Sequence, residues 1–75
     1  MRGVIIDLKE VFMKYENAEE VLDYLWDMLM ENGWIELRWG LKRLDYIEDF
    51  KIMEFAEDII SNWFYEFKQK QNKEV

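Results

Sequence analysis

Apolar residues recur at three- and four-residue spacing along most of the chain, and that spacing predicts helices. The firmest stretch covers 18–32, where Ala18, Val21, Leu22, Leu25, Met28 and Leu29 share one face. Asn17-Ala18-Glu19-Glu20 has the form of a capping box, with Asn17 taking the first free backbone N–H groups and Glu20 reaching back. Gly33 after Asn32 supplies the stop. Upstream, Val4, Leu8, Val11 and Tyr15 align, as do Ile5, Leu8 and Phe12, which predicts a helix over 4–15. A short strand at Val4-Ile5-Ile6 is the alternative, because β-branched residues prefer a pleated surface.

The segment from Trp34 to Leu44 carries two periods at once. Trp34, Leu37, Leu41 and Leu44 keep helical spacing, whereas Ile35, Leu37 and Trp39 alternate with Glu36 and Arg38 as in a strand. A helix over 34–44 is the expectation, with a strand near 34–39 as the alternative. Asp45, followed by Glu48, then opens a helix over 46–68. Its stripe runs through Tyr46, Phe50, Met53, Ile60, Phe64 and Phe67 on one side and Ile52, Ala56, Ile59 and Trp63 on the other. These elements predict an all-α fold, a small bundle of three to four helices. They form one domain over 1–75, with a polar tail that frays from about 69.

Composition narrows the chemistry. The chain has no Cys and no His, so disulfides, thiolate zinc sites and imidazole ligands are all absent. The lone hydroxyl nucleophile of the Ser/Thr type, Ser61, has no histidine to activate it. Glu48-Asp49 and Glu57-Asp58 are neighbours on a helix, so their side chains diverge by about 100° and do not converge on a metal. The expectation is a protein that is not an enzyme and uses no cofactor and no metal.

Seventeen acids against ten bases leave a net charge of −7. That balance argues against direct nucleic-acid binding, which draws on Lys and Arg at phosphates, and against anionic membranes. Residues 1–8 show no signal-peptide pattern and no stretch has the length of a spanning helix, so the expected location is cytoplasmic.

One charge pattern breaks a local rule. Between Tyr15 and Leu37 there are seven acids and no Lys or Arg. Glu19, Asp23, Asp27 and Glu31 follow one another at i, i+4 steps, and like charges at that spacing destabilise a helix. The acids span an arc of roughly 120°, with Met30 inside it and Trp26 at its edge. Glu19, Asp23, Trp26, Asp27, Met30 and Glu31 are therefore the candidate partner-binding residues, the other reading being a solvated face whose Trp26 belongs to the core. Phe55 and Tyr65 fall off the apolar stripe of the last helix and join the candidates as a partner or self-association surface. Basic residues gather at Arg38, Lys42 and Arg43 and again at Lys68, Lys70 and Lys73.

Ile5-Ile6-Asp7-Leu8-Lys9, then Glu19-Glu20-Val21-Leu22 and Glu31-Asn32-Gly33-Trp34-Ile35, resemble the opening of sugar phosphotransferase IIA domains. That family carries its phosphoryl group on a histidine, and this chain has none, so the resemblance implies no transferable activity.

The functional expectation is a small acidic protein-binding module, an inhibitor or modulator of the kind phages and mobile elements direct at host enzymes. It would set an acidic helix, as a partial nucleic-acid mimic, on a basic surface of another protein. The alternatives are a homodimeric structural or assembly module and an antitoxin- or immunity-type regulatory partner.

Overall fold

Val4, Ile5 and Ile6 form a strand and not a first helical turn. In the structure, a computed structural model that describes residues 2–73, β1 (Val4–Asp7) leads straight into α1 (Leu8–Lys14). The switch is made at Asp7. Its backbone is extended (φ −87°, ψ 106°) and its carboxylate accepts the Lys9 N–H at 3.0 Å, which starts the helix.

α2 (Ala18–Asn32) keeps the boundaries the sequence predicts. Asn17 Oδ1 accepts the Glu20 N–H and its Nδ2 donates back to the Glu20 carboxylate, both at 2.9 Å. Gly33 closes the helix, its N–H on the Leu29 carbonyl at 2.9 Å.

The next segment is a hairpin, β2 (Ile35–Trp39) and β3 (Lys42–Ile47). Trp39 pairs with Lys42, so Gly40 and Leu41 are its two-residue turn. Gly40 has φ 63°, and among the described residues none other than glycine has a positive φ. A positive φ at the first central position alone is the type II′ pattern, which suits the twist of paired strands. Leu41, placed on a helical stripe by its spacing, stands at the turn tip and is 98% exposed. β3 bulges at Leu44, between the residues that pair with Leu37 and Arg38. α3 (Phe50–Lys73) starts later than expected, because Asp49 and not Asp45 caps it, accepting the Lys51 N–H at 2.7 Å.

The fold is therefore α+β, three helices with a three-stranded mixed sheet in the order β1-β2-β3, parallel then antiparallel. This corrects the all-α bundle. The helix expected over 4–15 is strand over its first four residues, that over 34–44 is a hairpin turning at Gly40, and that over 46–68 begins at Phe50. The physical reason is pairing at long range: β1 meets β2 from about thirty residues away, in the register Val4↔Ile35 to Asp7↔Arg38. Local spacing cannot report that contact. α3 continues to Lys73, through the stretch expected to fray, while 74 and 75 lie outside the described residues.

α2 and α3 pack side by side over one face of the sheet. The core between them holds Ile6, Ile35, Leu37 and Ile47 from the strands, Val21, Leu25 and Leu29 from α2, and Met53, Ile60 and Phe64 from α3. α1 closes one end with Leu8 and Phe12, each fully buried. There Phe12 meets Trp39, Phe64 and Phe67 at centroid distances of 5.5, 5.3 and 5.9 Å. The opposite face of the sheet, with Ile5, Glu36, Arg38, Arg43 and Tyr46, is left uncovered. Among the described residues no helix is long and apolar enough to cross a membrane.

Candidate functional site

The carboxylates of α2 stand on the face turned away from the core. Ala18, Val21, Leu25 and Leu29 bury one side of the helix, and Glu19, Asp23, Asp27 and Glu31 all lie exposed on the other. Among the described residues the ion pairs are Arg38–Glu36 and Arg43–Glu36, both on the sheet, and neither reaches α2. The last turn of α2 has no basic residue, so Asp27 and Glu31 approach the negative end of the helix dipole without compensation.

Trp26 is half-buried and sits in the seam between α2 and α3. Its ring lies 5.8 Å from that of Phe50, and its indole N–H donates to Glu57 Oε2 at 3.1 Å. Trp26 is thus a packing residue with one exposed edge, and Glu57, an acid near the apolar stripe of α3, has a structural partner. Met30 is 63% exposed. With Gly33, Glu48, Asp49 and Phe50 it borders a shallow groove of about 490 Å³ where α2 ends and α3 begins. Lys51 borders the groove as well, and none of the four α2 carboxylates does.

Phe55 and Tyr65 do not share a surface. Ten positions apart at about 100° each, they project some 80° apart around α3. Phe55, 80% exposed, neighbours Ile52 and Ile59, whereas Tyr65 leans edge-on against Phe64 at 6.1 Å.

Two features come from the hairpin, and a helix over 34–44 could not have revealed them. First, one lysine from each of the two basic clusters borders a common groove, together with the acid Glu66. Lys42 from β3 and Lys70 from α3 border a second groove of about 490 Å³, floored by Trp39, Leu44, Trp63 and Phe67. Second, the uncovered sheet face carries a charge and aromatic array. Glu36 is flanked by Arg38 and Arg43, and the Arg43 guanidinium lies 5.7 Å from the Tyr46 ring centre. Trp34 packs against the same ring at 5.3 Å. Partial burial and then the Glu48 carboxylate, 3.5 Å from the hydroxyl, push the Tyr46 phenol above its ordinary value of 10.0. The alternation of Ile35, Leu37 and Trp39 with Glu36 and Arg38 was the signal for this face.

No group of three or more metal-capable side chains is gathered among the described residues. Neither the fold nor its surface carries a feature specific to a phage-type inhibitor or a nucleic-acid mimic, and that part of the expectation is withdrawn with the bundle. No protein family, curated protein or solved structure matches the chain.

Proposed function

We propose that the chain is a cytoplasmic protein-binding module, without catalytic activity of its own, whose α2 face docks on a basic surface of another protein. One observation carries the reading: Glu19, Asp23, Asp27 and Glu31 form an exposed line with no cation within ion-pairing distance among the described residues. Repulsion along such a line destabilises the helix; the helix N-terminus offsets it at Glu19, but not at Asp27 and Glu31. Carboxylates repeated every ~6 Å along the axis suit the spacing of Arg and Lys heads on a facing surface. The groove beside Met30 and Phe50 gives an apolar anchor point near the end of α2, with Glu48, Asp49 and Lys51 as its charged lining. Absence of cysteine accords with a reducing compartment.

Affinity capture with two baits tests this. The wild-type chain should retain a basic protein in a salt-sensitive manner, and the Asp23→Lys, Asp27→Lys double variant, folded by circular dichroism, should lose it. An identical captured set from both baits would remove the α2 face from consideration.

A further inference from the structure

Trp39 closes the covered face of the sheet at the hairpin end, where its ring meets Phe12 and Phe67 edge-on at 5.5 and 5.4 Å. Lys42 pairs with Trp39, and directly opposed residues of an antiparallel pair point to the same face. A lysine therefore stands on the face that Ile35, Leu37 and Ile47 fill elsewhere in the sheet. α3 supplies a second one. Trp63, Phe67 and Lys70 recur at i, i+4 and i+7 and share one side of the helix, so Lys70 borders the same gap from the opposite wall.

Two cations thus line a gap in the core layer, over the half-buried side chains of Trp39, Leu44, Trp63 and Phe67. Neither lysine is ion-paired among the described residues, although Glu66 stands four positions before Lys70 and borders the gap as well. Arg38 and Arg43, on the uncovered face of the sheet, are instead taken up by Glu36.

We propose that this groove binds a small planar aromatic carboxylate, its ring on Trp39, Trp63 and Phe67 and its anion held by Lys42 and Lys70. The size fits, since about 490 Å³ falls in the range of roughly 300–1,000 Å³ that ligand sites occupy. The floor fits a flat ring, because Trp and Phe take aromatic neighbours stacked or edge-on. The charge fits a monoanion. Two lysines and one glutamate leave the lining with one net positive charge, which a single carboxylate neutralises. A phosphate monoester, with close to two negative charges, overshoots it. Glu66 is an acceptor for a hydroxyl or N–H on the far side of the ring. The α2 carboxylates do not border this groove, so its occupancy and docking at α2 stand or fall separately.

Four tryptophans make the test local. Trp39 and Trp63 line the groove, whereas Trp26 lies in the seam between α2 and α3 and Trp34 lies against Tyr46. The isotope-labelled chain is titrated with 6-hydroxy-2-naphthoate and followed through its indole N–H resonances. Trp39 and Trp63 should shift saturably while Trp26 and Trp34 stay in place, with a Kd of about 1 mM or tighter for a ligand of this size. Lys42→Glu and Lys70→Glu, both at exposed positions, should each weaken binding about five- to tenfold in a spectrum that is otherwise that of the folded protein. The neutral amide of the same ring should bind the wild type more weakly and be indifferent to both substitutions. Absence of a saturable shift at Trp39 and Trp63 overturns the proposal. Equal binding of acid and amide overturns it too, as does tighter binding of the corresponding naphthyl phosphate.

Discussion

Replacing Asp27 by Lys should stabilise the protein. Asp27 is exposed and stands four residues from both Asp23 and Glu31, so it takes part in two like-charge pairs on α2. Each costs about 0.2–0.5 kcal/mol, and reversing the charge turns both into attractive pairs of similar size. Removing two repulsions and adding two attractions gives about 0.8–2 kcal/mol before screening; solvent exposure places the expected value near the lower end, about 1 kcal/mol. For a domain of this size that is a rise in Tm of about 4–8 °C. Asp27→Asn, which removes the repulsion without adding a cation, should give about half. Thermal unfolding followed by circular dichroism at low ionic strength reads both. Added sodium chloride should raise the wild-type Tm and narrow the gap to the Lys variant, because screening weakens every pair in the line. If both variants melt at or below the wild-type temperature, Asp27 has a structural role, and the argument that the acidic line is retained at a cost to the fold fails.

Asn17→Ala should cost about 1 kcal/mol in denaturant unfolding, since it removes the acceptor for the Glu20 N–H at the start of α2. Gly3→Ala should cost at least about 1–2 kcal/mol, because Gly3 has φ +61° and an added Cβ would lie 1.7 Å from the Trp34 ring; altered Trp fluorescence should accompany the loss. The phenol of Tyr46 should ionise above 10.0 in a spectrophotometric titration, and Glu48→Gln should lower that value. The raised pKa means that the folded protein favours the neutral phenol, so this contribution is present below pH 10 and is lost as pH rises through the folded-state value.

The helix over 18–32 was legible because its signals are local: Asn17, Glu20 and Gly33 lie within one turn of the groups they satisfy. The acidic face was legible for the same reason, as a helix of known phase fixes which side chains point outward. The hairpin was ambiguous because Leu37 serves both a helical and an alternating reading. Gly40 weakens a helix, yet Gly-Leu between Trp39 and Lys42 also reads as a turn of the II′ kind. Asp45 precedes an apolar run, as a cap does, but Tyr46 and Ile47 belong to the strand and the cap is Asp49. Trp26 lay at the edge of the acidic arc, and only the position of Glu57 and Phe50 on a helix remote in sequence placed it in a seam. The approach of Lys42 to Lys70 was invisible for a similar reason, because it depends on where β3 begins relative to α3.

The parallel contact between β1 and β2 also sets an order of assembly. β2, β3 and α3 are successive in the chain and joined by short connections, so their mutual contacts close small loops. β1 must instead wait for α1 and α2 to span the distance back, and a long loop is slower to close than a short one. The amino-terminal strand is thus expected to dock last and detach first, and its amides should exchange with solvent ahead of those in the hairpin. Segment 4–7 then acts as the latch of the fold, and Asp7 holds it from both sides: one carboxylate oxygen takes the Lys9 N–H that starts α1 and the Gly40 N–H at the tip of the hairpin.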